Sequence, residues 1–377
     1  MLTRRQAIAG AIAALLPAGA RAEHASLPAL RDLASARGIL YGSCIAASQV
    51  AAHDDFTRLI AQQCGALVAE NEMKWQQMSD RPGVENFAVP DRIVAFAERH
   101  RLAMRGHNLL WFWTTPDWFK TLPDRASAER AVVERITGMC RHYRGRVFCW
   151  DVVNEPIYVE HGRADGLRKT VFLDKIGPDY VDLAYRTARA ADPGAALVVN
   201  EYGIEYDTPE DEAKRGAVLR LLERMKRAGT PVDALGVQAH LDCGKPFSAA
   251  KLRRFLAEVA SLGLEVQITE LDATDEHLPA AIETRDVAIA EAYARFLDAA
   301  LAEPAVTVLF TWGLSDRHSW IVRRECNVAL LRKDGLPERP LPFDAALRRK
   351  PAWYALATAL DAAPRRAHSK FLPSLRA

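Results

Sequence analysis

Several patterns that mark large classes of protein are missing from this sequence. None of the six cysteines among its 377 residues stands in a C-x-x-C pair, so the spacing of a cysteine-bound metal site is absent and no disulfide pairing can be deduced. No apolar run reaches the length of a membrane-spanning helix. The formal net charge is only +2, which implies neither nucleic acid nor an acidic membrane as a partner. We expect buried thiols at positions 44, 64, 140, 149, 243 and 326.

The first 22 residues have the pattern of an export signal and are not expected to belong to the fold. A short basic segment ending at Arg5 precedes an apolar stretch at 7–16, and the sequence Ala-Arg-Ala at 20–22 has the small residues of a cleavage site. The apolar stretch is too short to span a membrane as an anchor. The pair formed by Arg4 and Arg5 also fits part of a twin-arginine signal, which would export a folded protein. We therefore predict an exported protein, located in the periplasm or outside the cell.

Apolar segments of strand length occur eight times, and stretches with helical periodicity and charged outer faces lie between them. Continuous apolar strands that alternate with helices are typical of a parallel sheet buried on both faces. Eight such units favour a closed (β/α)8 barrel, of the TIM-barrel type. A doubly wound open sheet is disfavoured because no glycine-rich phosphate loop follows the first strand. The predicted strands are residues 39–44, 66–69, 102–106, 147–153, 197–200, 234–238, 264–269 and 306–311.

The domain organisation is expected to be simple. No linker rich in proline, glycine or serine interrupts the chain, and nothing indicates a second domain. We therefore predict an α/β protein in which residues 23–364 form one (β/α)8 catalytic domain. The basic tail at residues 365–377 is expected to be a frayed end.

Polar and aromatic residues follow most of the predicted strands at their carboxyl ends. Barrel enzymes place their chemistry at this end of the strands. A single His or Trp there is more often part of the core, but several strands that end in hydrogen-bonding or stacking residues predict a site. The residues concerned are Glu70-Asn71-Glu72-Met73-Lys74-Trp75, His107-Asn108-Leu109-Leu110-Trp111, Asn200-Glu201-Tyr202, Gln238-Ala239-His240 and Trp312-Gly313.

Two glutamates carry the strongest indication of function. Glu155 ends the fourth predicted strand directly after Asn154, and Glu270 ends the seventh, two residues before Asp272. Two carboxylates at the carboxyl ends of different barrel strands can face each other across a substrate. That arrangement can cleave a glycosidic bond, since one carboxyl protonates the leaving oxygen while the other attacks the sugar or activates water. The alternative, two unrelated salt bridges at strand ends, is disfavoured by the pairing and by the polar neighbours.

With its motifs in this order, the chain resembles family 10 of the glycoside hydrolases, the endo-β-1,4-xylanases. The resemblance extends from about residue 39 to residue 354 and implies xylan or xylo-oligosaccharides as substrate and retention of the anomeric configuration. We expect a monomer that needs no cofactor and no metal. The motifs that carry the resemblance are Glu70 to Trp75, Arg105-Gly106-His107, Trp150 to Pro156, Gln238-Ala239-His240, Ile268 to Asp272, and Trp312 to Trp320.

The resemblance also implies a role for each site residue. Glu155 would be the general acid/base and Glu270 the nucleophile. Ionised Glu270 nearby would keep Glu155 protonated before cleavage, and once the sugar esterifies Glu270, Glu155 could ionise and act as a base toward water. His240 and Asp272 would orient the nucleophile, and Asn154 would bind the 2-hydroxyl of the sugar. The implied lining of the sugar sites is Glu70, Asn71 and Lys74 on the non-reducing side, and His107, Trp111, Gln238, Trp312 and Trp320 around the central sugar.

One departure from the family pattern follows Trp111. The family usually has a His and then a Gln that contacts the sugar on the non-reducing side, whereas this chain has Phe112, Trp113 and Thr114. We expect the shorter Thr114 to loosen the preference for xylose over glucose.

Other functions are weighed against this prediction. A related barrel glycosidase acting on β-1,4-glucan or mannan is the near alternative. A non-catalytic polysaccharide-binding protein is disfavoured because both carboxylates are present. A metal hydrolase is disfavoured because His107 and His240 lie on separate predicted strands without a carboxylate at ligand spacing.

Overall fold

The fold is a closed barrel of eight parallel strands, as the sequence predicts. The computed structural model describes residues 27–322 and 330–372, so the predicted export signal and Cys326 lie outside the described residues. The last barrel strand pairs with the first, with Leu40 opposite Val308, and closes the sheet. The barrel strands are Leu40–Ile45 (β1), Ala66–Ala69 (β2), Ala103–Gly106 (β3), Cys149–Asn154 (β5), Ala196–Glu201 (β6), Ala234–Val237 (β7), Glu265–Thr274 (β9) and Val306–Thr311 (β10).

Two short strands lengthen the barrel wall at its carboxyl end. Leu110–Trp111 (β4) pairs with the end of β5, and His240–Asp242 (β8) pairs with the end of β9. Because of this extra pairing, β9 continues to Thr274, beyond its predicted end at position 269. Glu270 therefore lies inside a strand, not after it.

Helices connect successive strands and cover the outside of the barrel. Several begin after a side chain that accepts a hydrogen bond from the first turn, for example Asp54, Thr208 and Ser248, which is the expected behaviour of an N-cap residue. The longer helices are Asp55–Gln63, Pro90–Arg99, Arg125–His142, Tyr180–Ala191, Pro209–Arg227, Ala249–Ser261, Ile282–Ala300 and Pro351–Ala362. The shorter ones are Leu30–Ser35, Ala47–Ala52, Trp75–Met78, Asp117–Lys120 and Val171–Ile176. Residues Phe112–Thr114, Val159–His161 and Asp316–His318 form 3-10 turns.

The barrel strands are buried on both faces, which explains their continuous apolar sequences. Side chains such as Val68 and Phe310 form one cluster inside the barrel, while alternate residues such as Leu67 and Leu309 join the cluster that the helices form around it. Gly42 leaves the room that the Phe310 ring needs, because a Cβ on Gly42 would lie 2.5 Å from that ring. Close packing inside the barrel leaves its carboxyl end as the place for an open site.

The described part of the C-terminal tail packs against the amino-terminal end of the barrel, so the expectation of a frayed end was wrong for this part. Arg366 donates to the backbone carbonyl of Val306 at the start of β10. Ser369 Oγ donates to Glu265 Oε1 at the start of β9, 2.6 Å away. Leu372 is only 6% exposed and joins the cluster inside the barrel. The tail is basic, yet the guanidinium of Arg366 donates to backbone carbonyls instead of facing solvent. Composition alone does not predict this contact.

The described cysteines are buried as expected, except for Cys243. Cys44, Cys64, Cys140 and Cys149 are buried, Cys243 is half-buried, and none of these five forms a disulfide. Over the described ranges, no helix is both long enough and apolar enough to cross a membrane.

Candidate active site

The two predicted catalytic glutamates lie at the carboxyl end of the barrel and are largely buried. Glu155 directly follows β5 and is 9% exposed, and Glu270 in β9 is 5% exposed. The backbone of Glu155 is left-handed, with φ at 55°, and its N–H donates to the carbonyl of Asn200 at 2.8 Å. Both carboxyls are thus held by the barrel wall and not by mobile surface loops.

The carboxylate of Glu270 accepts two hydrogen bonds. Asn200 Nδ2 donates to Oε1 at 2.7 Å, and His240 Nε2 donates to Oε2 at 3.3 Å. Burial alone would raise the pKa of Glu270, but the hydrogen bond and charge of His240, the nearby His107 and the amide of Asn200 outweigh it and lower the pKa to about 2. Glu270 is therefore ionised at neutral pH, as a carboxylate nucleophile must be.

His240 is held between two carboxylates. Its Nδ1 donates to Asp272 Oδ1 at 2.8 Å, while its Nε2 faces Glu270. Burial would lower the pKa of His240, yet the adjacent charges and hydrogen bonds of Asp272 and Glu270 raise it well above the ordinary value. Trp320 Nε1 donates to the other oxygen of Asp272 at 2.7 Å. This arrangement fixes the imidazole ring beside Glu270, and the orienting role of His240 and Asp272 stays a prediction.

The carboxyl of Glu155 has a different environment, in which two side-chain amides donate to one of its oxygens. Asn154 Nδ2 donates to Glu155 Oε1 at 3.3 Å, and Gln238 Nε2 donates to the same oxygen at 3.2 Å. Asn154 Oδ1 in turn accepts from Asn200 Nδ2 at 2.9 Å. Asn200 thus connects the surroundings of Glu155 to those of Glu270.

Asn200 was named at a strand end in the sequence but was not predicted to be a site residue. Its side chain is fully buried, and its Oδ1 accepts from Thr269 Oγ1 at 2.7 Å. The signal in the sequence was an amide that ends an apolar strand. Its role depends on neighbours contributed by two other strands, so it could not be assigned from the sequence.

His107 and Trp312 lie together on the wall of the site. The two rings meet edge to face, with centroids 5.3 Å apart. His107 Nδ1 donates to Asp151 Oδ2 at 2.9 Å, and the buried guanidinium of Arg105 pairs with the other oxygen of Asp151 and with Gln267. This ion pair inside the barrel fixes the orientation of His107.

The residues predicted for the non-reducing side form a connected group. Lys74 Nζ donates to Asn71 Oδ1 at 2.8 Å, and Asn71 Nδ2 donates to Glu70 Oε1 at 3.3 Å. The Lys74 ammonium lies 4.8 Å from the centre of the Trp111 ring. Burial lowers the pKa of Lys74, against the opposing charges of Glu270 and Glu155. This group therefore lies within electrostatic reach of both glutamates.

In the turn that departs from the family pattern, neighbouring residues differ strongly in burial. Thr114 is buried in the 3-10 turn, whereas Trp113 is 73% exposed.

Among the described residues, no group of three or more His, Cys, Asp and Glu side chains is placed to hold a metal ion.

Known proteins resemble this chain over most of its length. Residues 29–359 match the model of Glycosyl hydrolase family 10. Endo-1,4-beta-xylanase C of Paenibacillus barcinonensis is 31% identical over 86% of this chain and 31% of its own length. Exoglucanase XynX of Acetivibrio thermocellus is 31% identical over 82% of this chain and 28% of its own length. This chain thus spans less than a third of the length of either relative.

A solved structure gives the same result for the fold. The crystal structure of xylanase 10B from Thermotoga petrophila RKU-1 in complex with xylobiose superposes with a TM-score of 0.80. The two sequences are 29% identical, and the match covers 90% of this chain and 98% of that chain.

Proposed function

Because this chain belongs to glycosyl hydrolase family 10, we propose that it is a retaining endo-β-1,4-xylanase that cleaves internal bonds of xylan. The observation that carries the proposal is the unlike setting of two neighbouring buried glutamates. Glu270 is held ionised by His240 and Asn200, while Glu155 accepts hydrogen bonds at Oε1 from the amides of Asn154 and Gln238. A retaining glycosidase needs such a pair, with one carboxylate as nucleophile and one carboxyl as acid and then base.

In the first step, Glu270 attacks the anomeric carbon of the central sugar and forms a glycosyl ester. The bond from that carbon to the leaving oxygen breaks, and Glu155 gives its proton to this oxygen. Asn200 and His240 keep the attacking carboxylate in place, since each donates to a different oxygen of Glu270. Positioning of this kind supplies much of the rate in enzymes.

In the second step, water attacks the anomeric carbon and Glu155 takes up its proton. The ester bond breaks and its electron pair returns to Glu270, which restores the enzyme. Two inversions at one carbon give net retention. The reaction balances without any cofactor.

The remaining site residues are proposed to bind the xylan chain. Asn154, which Asn200 orients, would accept or donate a hydrogen bond at the 2-hydroxyl of the central sugar. Lys74, Asn71 and Glu70 would bind hydroxyls on the non-reducing side. The rings of Trp111, Trp312 and Trp320 would contact the apolar C–H faces of the pyranose rings.

The test is to follow the anomeric configuration of the first product by proton NMR during hydrolysis of xylo-oligosaccharides, with glucuronoxylan and arabinoxylan digested in parallel. We expect the β-anomer first and short xylo-oligosaccharides from both polymers. An α-anomer as first product would overturn the double displacement, and no hydrolysis of either xylan would overturn the proposal.

A β-1,4-glucan is the second candidate substrate. The resemblance to a relative named exoglucanase and the Thr114 that replaces the family's Gln both favour some activity on glucosides. The ratio of kcat/KM on an aryl β-cellobioside to that on the matching xylobioside decides between the two. A ratio above one would make glucan the better substrate.

Export and a monomeric state are also proposed. The basic start, apolar stretch and small residues of positions 1–22 support export. Fractionation of the producing cells and sequencing of the mature amino terminus test this, and a cytoplasmic protein that keeps residue 1 would refute it. Light scattering at assay concentration tests the monomer.

A further inference from the structure

The backbone of Glu155 adopts a conformation that must be held by its surroundings. Its φ of 55° is left-handed, a conformation that is unfavourable for a residue with a Cβ. Such a conformation persists only when neighbouring groups determine it, and it often occurs at active sites. On the side of the chain that precedes it, the N–H of Glu155 is bonded to Asn200. On the side that follows it, the carbonyls are held by one residue, Arg168.

Arg168 binds three successive backbone carbonyls. Its Nε donates to the carbonyl of Glu155 at 2.9 Å, and one of its terminal nitrogens, Nη2, donates to that of Ile157 at 3.4 Å. Its own backbone N–H donates to the carbonyl of Pro156 at 2.7 Å. One side chain and one amide therefore fix the peptide that carries the acid/base carboxyl.

The guanidinium of Arg168 is itself held in a fixed plane. It is 6% exposed and lies over the rings of Phe112 at 4.4 Å and Tyr158 at 4.6 Å. Its Nη2 also donates to the hydroxyl of Tyr202 at 3.0 Å. Aromatic faces and a hydroxyl give arginine a defined orientation that a lysine ammonium would not keep.

The charge of Arg168 faces the carboxyl whose backbone it holds. Its Nη2 lies 4.0 Å from Glu155 Oε2. Within the described part of the chain, no other carboxylate comes within ion-pair distance of this guanidinium. The guanidinium that holds the backbone of Glu155 therefore also lies beside its carboxyl group.

We propose that Arg168 is a positioning residue for Glu155, which aims the acid/base carboxyl at the leaving oxygen in the first step and at the attacking water in the second. This inference rests on the proposed retaining function. It assigns to the acid/base a group made of the buried Arg168 and the half-buried rings of Phe112, Tyr158 and Tyr202, distinct from the group around Glu270. Arg168 does not itself touch the reacting atoms in this arrangement.

The test compares substrates that differ in their need for an acid. An aryl β-xylobioside with a dinitrophenolate leaving group needs little protonation, whereas the phenyl xylobioside needs it fully. For Arg168→Lys we expect kcat/KM on the phenyl substrate to fall at least about tenfold more than on the dinitrophenyl substrate, since loss of alignment costs acid catalysis selectively. Arg168→Met should show the same pattern. Tyr202→Phe, which removes one hydrogen bond and is expected to fold normally, should show it more weakly.

A second readout uses azide, an anionic nucleophile that needs no base. When the second step limits turnover of the dinitrophenyl substrate, azide should raise kcat of the Arg168 variants and leave wild-type kcat unchanged. The matched control is Arg215→Lys, because Arg215 is equally buried and holds the carbonyls of Ile204 and Tyr206 in the loop after β6. This control is expected to keep the wild-type ratio between the two substrates and to show no azide effect.

Each result decides the matter. Equal losses on both substrates in the Arg168 variants, without an azide effect, would show a merely structural role and overturn the proposal. A changed ratio in Arg215→Lys as well would show that the effect is not specific to Arg168 and would also overturn it. If the wild-type enzyme cleaves neither xylobioside, the proposed function itself fails, and the inference about Arg168 fails with it.

Discussion

Replacement of Asn200 by alanine should impair both carboxyl groups of the site at once. The side chain of Asn200 donates to Glu270 Oε1 and to Asn154 Oδ1 and accepts from Thr269. Without it, Glu270 keeps one donor, His240 at 3.3 Å, and is free to rotate about that contact. Asn154 loses the donor that orients it toward Glu155 and toward the 2-hydroxyl of the sugar.

The expected loss follows from these contacts. Misplacement of a reacting carboxylate by about 1 Å can cost on the order of 100-fold in rate, and the contact with His240 limits the movement, so we expect kcat/KM to fall roughly 10- to 100-fold. Loss of a bond to a charged acceptor and of a buried amide pair should lower the free energy of unfolding by about 2–4 kcal/mol. Thr269→Val removes only the hydroxyl that anchors Asn200 and should cost less in both measurements.

The charge of the site supplies a sharper comparison. Asn200→Asp keeps the shape of the side chain but places a second carboxylate against Glu270, so it should be less active than Asn200→Ala at neutral pH. The assay is kcat/KM on an aryl xylobioside, together with urea unfolding of each variant. An alanine variant within threefold of wild type, or an aspartate variant more active than the alanine variant, would refute this account of Asn200.

Other predictions concern the glutamates and the sugar wall. Glu270→Ala should abolish turnover without unfolding the protein, whereas Glu155→Ala should retain first-step activity on substrates with good leaving groups; equal losses on activated and natural substrates would contradict these roles. Because the pKa of Glu270 falls from 4.5 to about 2 on folding, its charge stabilises the fold above pH 4.5, and this contribution is lost as the pH falls through about 2. Urea unfolding over that range should show a steeper loss for wild type than for Glu270→Gln. Trp312→Ala should raise the ratio of cellobioside to xylobioside activity and Thr114→Gln should lower it, each by about tenfold at most. A ratio unchanged in both would mean that selection lies elsewhere.

The sequence was sufficient for the barrel and for the main features of the site. Strands buried on both faces leave continuous apolar runs, and polar residues after such runs must lie at the carboxyl end of the barrel. Both properties are local, so they are visible in one chain. The extension of β9 through Glu270 was missed because it depends on pairing with β8, a contact between segments far apart in sequence.

The supporting residues were harder to predict for the same reason. Arg168 lies in the loop after β5, and the residues adjacent to it in the sequence do not indicate that its guanidinium is buried. It contacts backbone carbonyls and rings from two other loops. Because every residue has a backbone carbonyl, the sequence does not indicate which carbonyls an arginine will bind. The tail shows the same limit, because the charge on Arg366 suggested solvent while the structure uses it to bind the carbonyl of Val306.

The packed tail also determines where this protein can be joined to other proteins. Its contacts lie at the opposite end of the barrel from the two glutamates, so a binding module or a solid support attached after Leu372 would face away from the proposed active site. A fusion that replaced the segment from Arg366 onward would instead uncover the apolar interior beneath Leu372. Such a hybrid should express poorly because the amino-terminal end of its barrel would be left uncovered, even if every residue of the proposed active site is intact.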